Sequence, residues 1–166
     1  MAARAALLDT WLGQVAALRD AAGRLTPNDL ATGLPGEPWT VAQIVFHTAA
    51  GLTYPRDLHE IAVSTGQMTS VDLRIYDPPG DEGPDRHELL ALIDTREAAT
   101  IAYLGALSDE AFFSNTPVIM PGGNRYFASI PTLLDSSIDH QCGHLRQVEK
   151  WLARGSARGL RAAGEP

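Results

Sequence analysis

The sequence predicts an all-α fold, a four-helix bundle with long inter-helix loops, on three observations. Four segments of roughly 20 residues carry apolar residues at three- and four-residue steps, the spacing of one helix face. Two of these segments open on an N-cap residue followed three positions later by Gln or Glu. Strand-like composition is confined to one stretch, where Val118-Ile119-Met120 and Arg125-Tyr126-Phe127 flank a Pro-Gly-Gly-Asn turn, so one small hairpin is expected near residues 117–128. There is no internal repeat. Residues 1–154 are expected to form a single bundle domain and 155–166 a flexible C-terminal tail.

The first helix is expected from about Ala5 to Arg24, with Leu7, Trp11, Val15, Leu18, Ala22 and Leu25 as its inward stripe. Thr26-Pro27 reads as an N-cap with proline in the first turn of a short helical piece, and Thr32 to Pro38 as a loop. The second helix starts at a T-x-x-Q capping box, Thr40 and Gln43, with Trp39 and Ile44 spaced for a hydrophobic staple. It should run to about Ser64, with Gly66 beyond its end, and bend at Pro55, whose ring crowds the carbonyl of Gly51. Residues Gly66 to Asp85 form a long connection. The third helix begins at a second capping box, Asp85 and Glu88, and runs to about Leu107, with Leu90, Ile93, Ile101 and Leu104 as its stripe. Ser108 could cap one more turn, Asp109 to Phe113. The fourth helix should start after Ser129, tolerate Pro131 in its first turn and stop near Arg154, before Gly155. Connections as long as those after the second and third helices exceed what a bundle needs, and such loops tend to be functional or disordered.

Composition narrows the function. A net charge of −7 argues against a nucleic-acid partner, which calls for a basic face. No apolar run approaches the ~20 residues that span a bilayer, so no membrane partner is expected. The N-terminus superficially resembles a signal peptide, but Asp9 and Gln14 interrupt its apolar stretch, and it reads as a mature helix. Cys142 is the single cysteine, so no intrachain disulfide can form, which fits a reducing cytoplasm.

The chemistry is carried by histidines. His140 and His144 lie four residues apart in the last helix, about 40° past one full turn, and share a face. Two imidazoles at that spacing begin a divalent-metal site, and His47 on another helix could supply a third ligand. Ser137, His140, His144 and Gln147 form a polar strip beside an apolar one, and a polar strip reaching a bundle core must be satisfied. His59 is turned about 120° from His47 by helical geometry, and His87 sits in an exposed first turn. Cys142 points away from the histidine pair and reads as a packing residue. Glu97 falls within the third helix's stripe, where it is either a desolvated acid–base group or a bundle-edge residue. Tyr54, seven residues after His47, shares its face and could reach the site.

A Trp-Thr start to the second helix at Trp39-Thr40, then His47, and a final-helix His140-x-x-x-His144 followed by Gln147, together resemble the DinB/YfiT-like family of metalloenzymes. The resemblance runs from Leu7 to Trp151 and includes helix number and order; Arg146 stands where the family often has Gly. It implies a four-helix bundle, usually a homodimer, with a divalent metal held by His47, His140 and His144. Activities in the wider family include transfer or isomerisation with a low-molecular-weight thiol such as bacillithiol or mycothiol, and hydrolysis.

The leading expectation is therefore a metal-dependent S-transferase, with zinc or nickel and a low-molecular-weight thiol cosubstrate, acting on electrophilic small molecules. Gln147, Ser136 or Ser137 could orient the ligand rings. The alternatives are a metal-dependent hydrolase, for which Glu97 would be the internal base, and a non-catalytic stress-related metal-binding bundle.

Overall fold

The computed structural model describes residues 2–33, 38–65, 73–78, 80, 83–119 and 125–162. Helix α1 spans Ala2–Arg24 and α2 Pro27–Leu30; α3 spans Val41–Ala50 and α4 Tyr54–Thr65. They are followed by α5 (Arg86–Ala106), α6 (Asp109–Phe113), strands β1 (Thr116–Ile119) and β2 (Arg125–Ala128), and α7 (Ile130–Ala162). Four of these units make the bundle. Helices α1 and α3 each pack against both α5 and α7, which puts α1 and α3 across the bundle from one another.

Local chemistry sets most of the helix starts. Thr40 Oγ1 accepts from the Gln43 amide while Gln43 Oε1 accepts from the Thr40 amide, a complete capping box. Asp85 and Glu88 make the same reciprocal pair at the start of α5. Thr26 caps α2 as expected, and Asp29 closes a third box that the Thr-Pro pair alone did not reveal. Ser108 caps α6 over the expected Asp109–Phe113 turn.

The apolar stripes form one core. Trp11, Val15, Leu18, Ala22 and Leu25 of the first stripe are buried with Val41, Ile44 and Val45 of α3 and with Ile130, Leu134, Val148 and Trp151 of α7. Burying such side chains supplies ~1.5–3 kcal/mol apiece. The third stripe is rotated from the expected one: Leu89, Ile93, Thr100 and Leu104 are buried, while Leu90 and Ile101 are only partly so. Thr100 is accommodated because its hydroxyl donates to the Leu52 carbonyl at 3.0 Å.

Three elements differ from the sequence expectation. The second helix is broken into α3 and α4 by a 3₁₀ turn at Gly51–Thr53, just ahead of Pro55. The first helix starts at Ala2, where Arg4 is anchored: its guanidinium donates to the carbonyls of Leu104 and Leu107 and stacks on the Phe112 ring, with 4.7 Å from the guanidinium carbon to the ring centroid. The last helix passes Gly155 and continues to Ala162, since an isolated glycine costs a helix only ~1 kcal/mol.

The hairpin forms as expected, antiparallel, with Thr116 opposite Ala128 and Ile119 opposite Arg125. Its turn at 121–124, most of the 32–38 loop, Gly66 and residues 163–166 lie outside the described residues. No described helix is long and apolar enough to cross a membrane.

The described residues of the connection after α4 (73–78, 80 and 83–85) are tied to the bundle at several points. Gly83 lies so close to the start of α3 that a Cβ added to it would sit 2.5 Å from Ala42 Cβ, which reserves the position for glycine. Gln43 Nε2 donates to the Gly80 carbonyl at 3.1 Å, a second tie to the same helix end. Between α4 and these ties, a 3₁₀ turn at Leu73–Tyr76 buries Tyr76.

Candidate metal centre

Helices α3 and α7 are neighbours in the bundle, and their contact brings the three sequence-selected histidines together. One ring nitrogen from each of His47, His140 and His144 lies within 4.8 Å of the others. The ring centroids of His47 stand 5.0 Å from His140 and 5.2 Å from His144, and those of the α7 pair are 4.5 Å apart.

Two of the rings have a defined tautomer. His47 Nδ1 lies 3.2 Å from the Tyr76 carbonyl, which can only accept, so Nδ1 carries the proton and Nε2 keeps its lone pair. Asp77 Oδ1 lies 3.6 Å from the same nitrogen. His144 Nδ1 donates to Gln147 Oε1 at 3.1 Å, one helical turn along α7, again leaving Nε2 unprotonated. Outer partners of this kind accompany metal-ligating histidines, and three neutral imidazoles form a donor set for a divalent transition metal. The described residues therefore fit a metal ion.

At His47 and His140 the electrostatics favour the neutral ring. Burial and the neighbouring His144 hold His47 below the ordinary imidazole pKa, against the opposing pull of Tyr76 and Asp77. His140 is the most exposed of the three. The surrounding walls and the other two rings nevertheless push it down to about 4. Trp39, expected as half of a staple, stands with its ring centroid 4.9 Å from that of His47 and so forms part of the ring's seat.

A cavity of about 310 Å³ opens beside the rings, lined by His47, Gly51, Tyr54, Tyr76, Ser136, Ser137 and His140. Tyr54 thus reaches the site as its spacing suggested. Tyr76 was not foreseen: it sits in the long connection, and what it offers His47 is a backbone carbonyl, which no side-chain motif announces. Its hydroxyl donates to Asp57 Oδ2 at 3.0 Å, and burial together with the Asp57 carboxylate raises the phenol's pKa well above its usual value. Asp57 is held in turn by Arg56 at 2.6 Å.

The remaining candidates are elsewhere. Glu97 is half-buried on α5 and is not among the described residues lining the cavity. Cys142 turns from the histidines and donates to Gln14 Oε1 on α1 at 3.1 Å. His59 is buried 2.7 Å from the Tyr103 hydroxyl, and His87 is exposed. Ser137 bonds neither ring; it is engaged with Trp11 and Gln141 instead.

A DinB-like protein from Bacillus cereus ATCC 10987 has the same fold. Its crystal structure superposes with a TM-score of 0.68 over 90% of this chain and 91% of its own, at 15% sequence identity. No curated protein matches the sequence significantly. The sequence model of the DinB superfamily matches residues 8–148, a span that runs from within α1 through the histidine pair of α7, and the chain therefore belongs to the DinB superfamily.

Proposed function

We propose that this chain is a metal-dependent S-transferase that joins a low-molecular-weight thiol to an electrophilic small molecule, with His47, His140 and His144 as the metal ligands. The observation that carries this reading is the convergence of three imidazoles, two of which (His47 and His140) line a cavity of about 310 Å³, a size suited to a small substrate. A divalent ion held by three neutral nitrogens keeps its full charge and an open position, where it would lower the pKa of an incoming thiol. Zinc and nickel are the ions that we favour for this donor set.

The chain's own residues supply the rest. The Tyr76 carbonyl and Gln147 Oε1 hold two of the rings by their Nδ1–H groups. Tyr54, Tyr76 and Gly51 wall the space in which the electrophile would lie. The thiol sulfur forms the new bond to the electrophilic carbon, its proton passes to solvent, and the leaving group departs with its electron pair. Cys142, bonded to Gln14 away from the cavity, is not placed to be that nucleophile, so the thiol comes from outside. A reducing cytoplasm would keep such a cosubstrate reduced, and a homodimer is the assembly that the family resemblance implies.

Hydrolysis by the same centre would need a base to accept a proton from water. The described cavity-lining residues include no carboxylate, which favours the thiol reading. The test is consumption of 1-chloro-2,4-dinitrobenzene with a panel of small thiols, using native protein, chelator-stripped protein and a His47/His140/His144 triple-alanine variant. Turnover is expected only with both thiol and metal. Turnover that survives omission of either rules the proposal out.

A further inference from the structure

Gly51 is a glycine that the fold does not require. Its backbone, at φ −68° and ψ −6°, is right-handed helical and open to any L residue. A Cβ built on it meets nothing within 4 Å beyond its neighbouring backbone, whereas one built on Gly83 would strike Ala42. The break between α3 and α4 does not depend on it either. Pro55 has no N–H to offer the Gly51 carbonyl, and that carbonyl accepts from the Tyr54 amide in a 3₁₀ bond instead. Glycine is less favourable than alanine on helical backbone, so neither conformation nor packing accounts for its presence here.

What its missing side chain leaves open is the cavity. His47, Gly51 and Tyr54 all line it, at steps of four and three residues, so the three share one face of the α3–α4 segment. The residues on either side, Ala49, Ala50, Leu52 and Thr53, are buried and occupy the other faces. Helical side chains lean toward the helix N-terminus, over the preceding turn. A side chain at position 51 would therefore enter the cavity and lie over the turn that carries His47, opposite Ser136, Ser137 and His140 of α7.

We infer that Gly51 is a specificity-determining residue, whose bare backbone keeps the space beside His47 for the bound molecule. That space continues from the His47 ring to Tyr54 and Tyr76, whose ring centroids are 6.3 Å apart. It admits electrophiles that carry a ring-sized group next to the reacting carbon, and any larger residue at 51 restricts the cavity to narrower ones. The inference rests on the proposed transferase only in taking this cavity as the electrophile's seat.

Three measurements test it, one of them on turnover. Gly51→Ala should melt at or above the temperature of native protein, because no contact is lost and a helical residue is gained. Gly51→Cys, made with Cys142→Ser, should be modified by N-methylmaleimide but not by a polyethylene-glycol maleimide too large for the cavity. Asp20→Cys in the same background, at an exposed position, should take both. In the presence of thiol, kcat/KM for 1-chloro-2,4-dinitrobenzene relative to that for iodomethane should fall at least roughly 10-fold in Gly51→Leu, and less in Gly51→Ala. A lower melting temperature in Gly51→Ala overturns the inference, because the glycine is then structural. So does a cysteine at 51 that takes both maleimides or neither, or an unchanged selectivity ratio. If native protein turns over neither electrophile, the transferase proposal falls, and the melting and labelling results decide the role of Gly51 alone.

Discussion

At the scale of single residues, the site depends on which nitrogen of each imidazole is free. Gln147 fixes that for His144 by accepting its Nδ1 proton. Replacing it with Leu removes the acceptor, so metal affinity measured by chelator competition should fall by ~10- to 100-fold, while His47, held by a backbone carbonyl, keeps its tautomer. Protonation works against the same site. In the fold the His140 pKa is depressed to about 4 from an ordinary 6.5, so between those values the unfolded chain binds more protons than the folded one. Stability from this group is complete above about pH 6.5 and is lost as pH falls toward 4, and the downward shift of His47 acts in the same direction. Melting temperatures of metal-free protein should accordingly drop on acidification across that window, with a shallower drop in His140→Ala. An equal slope in the variant contradicts the assignment. The residue types of the site were legible from the start, because imidazoles four apart on a helix are visible in the chain itself. The Tyr76 carbonyl was not, since every residue has one and only folding decides which meets a histidine.

At the scale of elements, the caps read from the sequence close within one helical turn and form, although the Thr26–Asp29 box was not among them. The Thr40–Gln43 and Asp85–Glu88 boxes and the Ser108 cap need no distant partner, and all three form. The stripe of α5 was read one position off at two places, Leu89 for Leu90 and Thr100 for Ile101. A helix's rotation is set by what it packs against, and the Leu52 carbonyl that satisfies Thr100 lies 48 residues away in sequence. The same displacement leaves Glu97 half-buried on α5 and off the cavity's described lining. The connection before α5 is an element in its own right, because it carries Tyr76 to His47 and is pinned to α3 at Gly83. Gly83→Ala places a Cβ 2.5 Å from that of Ala42. Chemical denaturation should show a loss of ~1–3 kcal/mol. If the pin also seats Tyr76, metal affinity drops in the same variant, whereas a purely local clash leaves it unchanged.

At the scale of the whole molecule, the site exists because α7 passes α3 within one bundle, with α1 and α5 completing the core beneath it. Leu134 is fully buried in that core, one turn below the serines of the cavity. Leu134→Ala should lower unfolding free energy by ~2–5 kcal/mol in urea titration while leaving the metal stoichiometry of the folded protein unchanged. A loss of metal at full foldedness would mean that the core and the site are not separable. The chain by itself determined that there would be a helix bundle, where most of its helices begin, and which three histidines could act together. Those properties follow from residues within a turn or two of one another and from the limited ways in which apolar stripes can be buried. Only the tertiary structure decided that α1 and α3 lie across from each other, that the turn at Leu73–Tyr76 brings a backbone carbonyl to His47, and that Ser137 lines a cavity while bonded to Trp11 and Gln141. These depend on contacts between segments far apart in sequence, whose partners are backbone groups or surfaces that leave no pattern in the sequence.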